Sequence, residues 1–499
     1  MEVLIEAFRL VVTPEVLLTI ILASCMGVVI GSIPGLTAVM GTALLVPITF
    51  YLDPLPAISA IVAMTAMAIF AGDIPGALVR IPGTPASAAY VDEAYNLTLA
   101  GQPERGLGIC MASACAGGMM GSMILVLAAP QLARIAVKFS SVEYFWLALL
   151  GLTCAAFVSS ASALKGVLSL LTGLFISTIG IDTTSGQSRF TFGVIELMGG
   201  VNYIPAMIGM FALSEILRTA ASPLKKQLQV QAIKHIMRGL GRELRQYRSN
   251  IVRGGLIGTL VGALPGAGAD IAAWVAYSIS RKFSKTPERF GKGHLEGLAE
   301  SGAANNASLS GAWVPALVFG IPGDSITAIV IGVLILKGME PGPVIFIKQP
   351  QMVYAVFISF FIANLLLLPI GYVIIRLSRV FLAVPPSALI PIVLLACIVG
   401  SFAINNTSFD IGVMMVMGLI GCLMEENGIP VAPAILGIVL GNMLEFNFVT
   451  TMIKAKGDLV IFFSRPIAAG LGIVTLSIWL SQIVLAFLRN VKKQKPSEA

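Results

Sequence analysis

The chain contains the run Gly262-Ala263-Leu264-Pro265-Gly266-Ala267-Gly268-Ala269-Asp270, set into a long apolar segment. Further on, Gly320-Ile321-Pro322-Gly323-Asp324-Ser325-Ile326-Thr327 interrupts a second apolar segment. A Pro-Gly pair removes a backbone donor and loosens the chain, so it breaks a helix. Within a membrane, such breaks persist only where the freed backbone groups face protein or a watery cavity. The two runs therefore predict a binding site.

The composition predicts an all-α, polytopic (multi-pass) membrane protein. Of the 499 residues, 57% are hydrophobic and only 11% are charged, whereas about a quarter are charged in soluble proteins. Apolar runs long enough to cross ~30 Å of hydrocarbon recur along the chain. The net charge of +7 comes from basic residues at segment ends and in loops. This distribution indicates contact with membrane lipid, with a cytoplasmic basic tail, and does not indicate nucleic acid.

The sequence lacks the residues that several classes of function require. The six cysteines lie in apolar segments without metal-ligand spacing, and only two histidines are present, so no metal centre is expected. The sequence has no Gly-x-x-x-x-Gly-Lys-Ser/Thr phosphate loop and no Cys/His or His/Asp constellation. We therefore expect no enzyme and no cofactor. The start lacks a basic n-region, so its first apolar segment should be retained.

The first half is predicted to hold an unusual segment after its early spans. One apolar segment should end at Ala71, and the stretch 73–102 should form a re-entrant hairpin followed by a polar loop. The strongly basic stretch 218–253 carries a helical apolar stripe at Ile233, Ile236, Met237 and Leu240. It is predicted to be an interfacial or cytoplasmic linker helix, with a polybasic regulatory site as the alternative.

Sequence matches between the halves predict an internal duplication. Gly31-Ser32-Ile33-Pro34-Gly35 corresponds to Gly262–Gly266 at an offset of 231, and Ile81-Pro82-Gly83 to Ile321-Pro322-Gly323 at an offset of 240. Weaker matches pair Phe190 with Phe409 and Pro205 with Pro433. The predicted domains are a first transmembrane repeat (1–217), the linker (218–253), a second repeat (254–465) and a terminal helix with basic tail (466–499). About five spans per half favour inverted repeats, and paired broken segments are typical of secondary transporters.

The sequence resembles the large membrane subunit of the tripartite tricarboxylate transporters over residues 14 to 465. The matching segments are Gly31-x-x-Pro34-Gly35-Leu36, Ile81-Pro82-Gly83-Thr84-Pro85-Ala86-Ser87, Glu143-Tyr144-Phe145, Arg189-Phe190-Thr191-Phe192-Gly193, Pro265-Gly266-Ala267-Gly268, Asn305-Asn306-Ala307, Gly320-Ile321-Pro322-Gly323 and Gly338-x-x-Pro341-Gly342-Pro343. The resemblance implies uptake of carboxylates across the bacterial inner (cytoplasmic) membrane by an ion gradient. It also implies a periplasmic solute-binding protein and a small four-helix membrane subunit as partners.

Two positions depart from that family's pattern. The family tract before the paired asparagines usually runs Ala-Ala-Pro-Glu, whereas this chain has Gly302 in place of the Glu and Glu300 two positions earlier. Asp73 stands where the family commonly has a small residue.

The broken segments supply the predicted substrate-binding residues. Helix N-termini offer backbone N–H groups and a favourable dipole to a carboxylate. Thr84, Ser87, Ser325 and Thr327 are N-cap residue types that could contact ligand or only cap helices. The whole predicted set is Pro34, Gly35, Pro82, Gly83, Thr84, Ser87, Pro265, Gly266, Asn305, Asn306, Pro322, Gly323, Ser325 and Thr327.

Buried polar and acidic residues supply the candidates for ion coupling. Asn305 and Asn306 could bind a carboxylate or a sodium ion, or hold helices together. Asp73, Asp270 and Asp324 could bind Na+ or carry H+, because acidic groups within the membrane are usually functional. Arg80 could bind substrate, pair with Asp73 or anchor the hairpin at the lipid headgroups.

The leading hypothesis is a secondary active transporter subunit, a symporter that imports a tri- or dicarboxylate. The two hairpins would meet near the midplane around the small organic anion, and one bundle would move against a scaffold. The alternatives are a stand-alone organic-anion carrier and a non-transporting membrane scaffold or receptor.

Overall fold

The computed structural model describes residues 2–33, 36–158, 162–182, 185–221, 233, 236–237, 239–266, 268–382 and 386–494. Across these residues it is almost entirely α-helical, which confirms the predicted fold class. Pro34, Gly35, Ala267 and most of the stretch 222–238 lie outside the described residues, as does the side chain of Asp270.

Twenty-two α-helices follow one another in the described part of the chain. They are α1 (Glu2–Val11), α2 (Pro14–Ser32), α3 (Ala38–Thr49), α4 (Pro54–Ala71), α5 (Asp73–Val79), α6 (Val91–Leu99), α7 (Pro103–Ala136), α8 (Ser141–Val158), α9 (Ala163–Ser177), α10 (Tyr203–Met207), α11 (Ser214–Ala221), α12 (Leu240–Gln246), α13 (Arg248–Gly262), α14 (Gly268–Phe283), α15 (Leu295–Phe319), α16 (Ser325–Leu336), α17 (Ile345–Lys348), α18 (Pro350–Leu382), α19 (Pro386–Asn405), α20 (Ser408–Glu426), α21 (Ala432–Lys454) and α22 (Pro466–Gln494). A π-helix (Ile208–Leu213) joins α10 to α11, and β1 (Gly180–Ile181) pairs antiparallel with β2 (Ser188–Arg189).

Six helical stretches of the described chain are long and apolar enough to cross a membrane. They are Pro14–Ser32, Pro54–Val79, Pro103–Ala136, Pro350–Leu382, Ser408–Glu426 and Ala432–Lys454. The chain is therefore a multi-pass membrane protein.

The region after the first broken helix agrees with the sequence prediction in one respect and differs in another. Helix α4 ends at Ala71, as predicted, and α5 follows after Gly72, so that the two helices form one apolar stretch from Pro54 to Val79. The predicted polar loop is wrong in part, because Val91–Leu99 form helix α6. Three residues at helical spacing, Glu93, Ala94 and Leu97, turn one face of α6 inward. The sequence did not indicate this buried face because one of its residues is a glutamate, which breaks the apolar pattern.

The stretch predicted to be a single linker helix is divided. Leu240–Gln246 form α12, and α13 starts at Arg248 and continues into the second half. Of the predicted apolar stripe, Ile233, Ile236 and Leu240 are buried, while Met237 is exposed.

The described residues form two compact units. The first contains Met1–Val137 and Asn202–Asn427, and the second contains Lys138–Val201 and Gly428–Ala499. Each unit thus combines chain from both predicted repeats. The domain boundaries inferred from the duplication stay predictions.

Two helices without a lipid-facing side form the centre of the first unit. Every residue of α4 from Leu55 onward is buried, and so is every residue of α15 from Gly297 to Val318. A helix buried on all sides must be covered by neighbours on every face. Helix α2 covers α4, whereas α7, α13 and α14 cover α15.

Glycines at four-residue intervals let these helices approach until their backbones touch. A Cβ built on Gly254, Gly258 or Gly262 of α13 would overlap a carbonyl oxygen of α15, and one on Gly27 or Gly31 of α2 would overlap a carbonyl oxygen of α4. Small residues at such spacing are typical of close helix contacts in membranes.

The second unit is built on helices α8, α9, α21 and α22. Helix α21 packs against α8 and α9, and α22 packs against α8. The Arg189 guanidinium donates to both carboxylate oxygens of Glu445, with distances of 2.6 and 3.0 Å. Glu143 accepts from Arg465 at 2.8 Å and from the Ser140 amide at 2.8 Å.

We expect Gly258→Ala to destabilise the protein by about 1–3 kcal/mol, because the added methyl group would overlap the carbonyl oxygen of Ala304. Gly412→Ala is the matched control, since Gly412 is an exposed helical glycine with open space around its Cβ position. That control should be neutral or slightly stabilising. Thermal unfolding of the two variants in detergent checks this, and equal midpoints would contradict the packing described.

Candidate substrate and ion site

The first tip comprises residues 80–90, where the chain leaves α5. Arg80 ends the helix in the left-handed conformation, with φ 58°. The Gly83 amide then donates to the Gly72 carbonyl at 3.0 Å. Thr84 and Ser87 cap each other: the Ser87 amide donates to Thr84 Oγ1 at 3.1 Å, and the Thr84 amide donates to Ser87 Oγ at 3.2 Å. Both hydroxyl groups are buried and hold the turn that leads to α6.

The second tip comprises residues 320–327, between α15 and α16. Gly320 ends α15 with φ 68°, a conformation that glycine adopts without strain. The Gly266 amide donates to the Gly323 carbonyl at 2.7 Å, so the break after α13 contacts this tip. Asp324 and Thr327 form a reciprocal capping box at the start of α16: each side chain accepts from the other's backbone amide, at 2.8 and 2.9 Å.

The two tips share their geometry at an offset of 240 residues. Gly320 is the counterpart of Arg80 as the left-handed residue, and the box of Asp324 and Thr327 is the counterpart of the Thr84–Ser87 pair. A Cβ on Gly83 would lie 2.7 Å from Gly72 Cα, and one on Gly323 would lie 2.7 Å from Ala312 Cα. These are the same contacts in the two halves.

The weaker sequence match around Phe190 has no such counterpart in structure. Phe190 lies in an irregular segment after β2, whereas its partner Phe409 lies in helix α20.

Each tip lies against an element of the other half. Helix α14, which follows the Pro265-Gly266 break, contacts the turn Ser87–Ala89 of the first tip. Helix α16, which starts at the second tip, contacts α3, which follows the break predicted at residues 34–35. The predicted substrate-binding segments of the two halves are therefore neighbours within the first unit.

Asn305 and Asn306 lie on α15 and are each about 1% exposed. Asn305 donates through Nδ2 to the Tyr90 hydroxyl at 3.0 Å, and Asn306 donates to the Ala66 carbonyl of α4 at 3.1 Å. Both side-chain carbonyl oxygens are buried without a hydrogen-bond partner among the described residues. An unsatisfied buried acceptor is unfavourable, so these two oxygens are available to a ligand donor or a cation.

Asp73 lies at the start of α5 and is 3% exposed. The Tyr90 hydroxyl donates to its Oδ1 at 2.6 Å. Tyr90 thus connects Asp73 to Asn305, a link that was not predicted from the sequence. One signal was available: Tyr90 is three residues beyond Ser87, and its amide donates to the Ser87 carbonyl as part of the same turn.

The remaining candidates have different surroundings. Arg80 pairs with Asp92 at 2.9 Å, with both side chains more than half exposed, so the alternative pairing with Asp73 is not the one formed. Ser325 is partly exposed, and Pro322 and Gly323 are buried. Pro82 is exposed, while Pro265 and Gly266 are partly exposed. Ligand contact by any of these residues stays a prediction.

Glu93 of α6 is a connection between the halves that sequence reasoning did not identify. Its fully buried carboxylate accepts from the Tyr277 hydroxyl at 2.8 Å and from the backbone amides of Gly291, Gly293 and His294 at 2.5, 2.8 and 2.6 Å. We call this arrangement the Glu93 clasp. It satisfies the buried charge and fixes the first tip to the loop before α15.

Glu300, one of the departures from the family pattern, is also fully paired. The Arg253 guanidinium donates to both of its carboxylate oxygens, and Asn250 donates to Oε2 at 2.9 Å. Glu300 is completely buried and Arg253 is one-third exposed. The carboxylate therefore attaches α15 to α13. A Cβ on Gly302 would lie 2.7 Å from Ser113 Oγ of α7, so this position has little space for a larger residue.

Spanning helices around buried, broken and polar segments define a multi-pass membrane protein with a candidate internal site. The family model described as the tripartite tricarboxylate transporter TctA family matches residues 17–436. The chain belongs to this family. It is therefore the large subunit of a tripartite tricarboxylate transporter, which acts with two further components.

Two relatives from Agrobacterium vitis extend the comparison. The uncharacterized 52.8 kDa protein in the TAR-I ttuC′ 3′ region is 32% identical over 489 residues, which cover 98% of this chain and 96% of the relative. The uncharacterized protein in the TAR-II ttuC′ 3′ region is 35% identical over 238 residues, which cover 48% of this chain and 97% of the relative. No solved structure matches the chain significantly.

We expect Arg253→Met to destabilise the protein by roughly 2 kcal/mol or more, because it leaves the Glu300 carboxylate buried without its cation. The expected loss of stability is smaller than for a fully buried ion pair because Arg253 is partly exposed. The double variant Arg253→Met/Glu300→Leu should recover most of the loss, since the uncompensated charge is gone. Denaturation in detergent measures both variants. A double variant that is less stable than Arg253→Met would contradict this account.

Proposed function

We propose that this subunit forms the translocation path of an ion-gradient-driven symporter that imports a tri- or dicarboxylate. The observation that carries the proposal is the pair of matched tips. Each is capped in the same way, and each lies against the helix that follows the other half's break. Paired broken segments of this kind are the usual binding sites of secondary transporters.

The tips offer suitable chemistry for an organic anion. The N-terminus of α16 presents backbone amides and the positive end of its dipole, which favour a carboxylate. Among the described hydrogen bonds, the Thr84 hydroxyl acts only as an acceptor, so its hydrogen is available to a ligand oxygen. The side-chain carbonyl oxygens of Asn305 and Asn306 can accept a hydrogen bond from a hydroxyl group of the substrate, or they can coordinate a cation.

The coupling ion is Na+ or H+, with Asp73, Asp270 and Asp324 as the candidate groups. Asp324 Oδ1 accepts from both the amide and the hydroxyl group of Thr327, so this residue serves first as a helix cap. The matched tips support two homologous repeats, which we propose to be inverted, and a cycle in which one bundle moves against a scaffold. The partners are a periplasmic solute-binding protein and a small four-helix membrane subunit, and the location is the bacterial inner membrane.

The test is uptake of radiolabelled tri- and dicarboxylates by proteoliposomes that contain the complete transporter and the solute-binding protein. We expect uptake that depends on an imposed ion gradient. Solute-driven counterflow would exclude a scaffold or receptor, and equal uptake by this chain alone would favour the stand-alone carrier. Absence of uptake and counterflow for every carboxylate tested would overturn the proposal.

We expect Thr84→Ala and Asn305→Ala to lower the uptake rate at subsaturating substrate about tenfold or more, since each removes a polar group from the site. Thr84→Ser keeps the hydroxyl group and should retain most of the activity. Thr172→Ala is the control, because the described hydrogen bond of the Thr172 hydroxyl is to Leu168 of its own helix in the second unit. Unchanged uptake by both alanine variants, at normal expression, would show that the site is assigned wrongly.

A further inference from the structure

Asp73 is a buried acid in apolar surroundings. Phe70, Ile74 and Leu78 are buried next to it in one core cluster. Its described hydrogen bond comes from a neutral donor, the Tyr90 hydroxyl, at 2.6 Å. An ionised carboxylate is strongly disfavoured in such a place unless a cation compensates for it.

A compensating cation is not found near Asp73 in the part of the chain that the structure describes. The ionisable groups in electrostatic contact with it are Tyr90 and Cys110 of α7, which are both neutral when protonated. On the adjacent α6, Asp92 already pairs with Arg80, and Glu93 is held by its clasp. Helix α4 carries no ionisable residue, and α2 carries Glu15 in its first turn, far along the helix from Gly31.

The hydrogen bonds around Asp73 form a chain with a fixed direction. Because the Tyr90 hydroxyl donates to Asp73, it can only accept from Asn305, and it accepts from Nδ2 at 3.0 Å. The Asn305 amide is therefore oriented with its carbonyl oxygen away from Tyr90, and this oxygen is the buried acceptor without a partner. The chain joins Asp73 of the first half to Asn305 of the second.

This chain is compatible with both charge states of Asp73. When Asp73 is ionised, Oδ1 accepts from Tyr90. When a proton is bound at Oδ2, the bond from Tyr90 to Oδ1 can persist, although it is weaker than the bond to the ionised carboxylate. Protonation thus changes the charge at this position by one unit without breaking the link to Asn305.

Asp73 is also directly connected to the first tip. Its chain neighbour Gly72 accepts from the Gly83 amide, and a Cβ on Gly72 would lie 2.8 Å from the Thr84 methyl group. A negative charge on Asp73 would therefore repel an anion bound at the tip, and neutralising this charge would favour the anion. Two ligands that each favour the binding of the other are thermodynamically coupled.

We propose that Asp73 is the proton-binding group through which a proton gradient drives uptake of the carboxylate. On the side where the anion enters, hydronium gives its proton to the Asp73 carboxylate and leaves as water. On the other side, the neutral acid returns the proton to water, and the restored negative charge expels the anion. Tyr90 and Asn305 are positioning residues that keep the acid in contact with both halves. The proposal rests on the transport function proposed above.

The experiment uses the complete transporter in proteoliposomes, with its solute-binding protein, under a pH gradient or a Na+ gradient imposed separately. The wild type should accumulate substrate when the inside is alkaline, with no Na+ required. Asp73→Asn imitates the protonated acid, so it should retain solute counterflow. Its substrate accumulation under the pH gradient should be at least tenfold lower than that of the wild type. Its substrate affinity should no longer depend on pH. Asp458→Asn is the matched control, since Asp458 is an exposed cap in the second unit and should behave as the wild type.

Tyr90→Phe provides a second test that does not depend on Asp73→Asn being folded. It removes the hydrogen bond to the ionised carboxylate, which favours the protonated form. The midpoint of the pH profile of substrate affinity should therefore shift upward by about one pH unit or more.

The inference and the proposed function fail in different ways. Accumulation by Asp73→Asn with a wild-type pH profile would overturn the role of Asp73, as would an unshifted midpoint in Tyr90→Phe. Transport by the wild type that follows only the Na+ gradient would overturn it too, while the transport function would stand. Absence of uptake and counterflow in the wild type would overturn both.

Discussion

Close contact between helix backbones is the constraint on which the first unit depends. Helices α4 and α15 are surrounded by protein because glycines on α2 and α13 let those helices lie directly on their carbonyl groups. This contact removes lipid from α15, so its asparagines and serines can be buried among protein groups. A bulky residue at Gly258 or Gly262 would move α13 outward and expose a polar helix to hydrocarbon, where its side chains would lack partners.

The two matched halves share their backbone arrangement but carry different side chains at equivalent positions. The counterpart of Gly72 is Ala312, and the counterpart of Asp73 is therefore Trp313. Trp313 is fully buried and meets the Phe360 ring edge-on at 5.1 Å between centroids, so this position carries an uncharged aromatic side chain in the second half. Ala66, which accepts from Asn306, is itself the counterpart of Asn306 at the same offset. The two halves thus meet at equivalent positions, but the position of Asp73 in the first half is occupied by Trp313 in the second.

Local features of this structure could be predicted from the sequence, and distant pairings could not. The helix breaks at Pro82-Gly83 and Pro322-Gly323 follow from the backbone limits of proline and glycine, and Thr84 and Thr327 are cap residues by type. Tyr90 and Asn305 are far apart in sequence, and no periodicity relates them. The Glu93 clasp was hidden because its other members are mainly backbone amides. A buried glutamate also disguised the inner face of α6, so that helix was mistaken for a loop.

The Glu93 clasp restricts how the first unit can deform. Its four hydrogen bonds converge on one carboxylate, and Asn96 adds a bond to the Gly291 carbonyl at 2.8 Å. Separating α6 from the loop at residues 291–294 would break the three bonds from backbone amides and the Asn96 bond together, and would leave the buried carboxylate with the Tyr277 hydroxyl as its remaining donor. Helix α6 and the entry to α15 must therefore travel as one rigid body. Any hinge that opens the site has to lie outside α6 and the entry to α15, on the other side of the first tip from the Glu93 clasp.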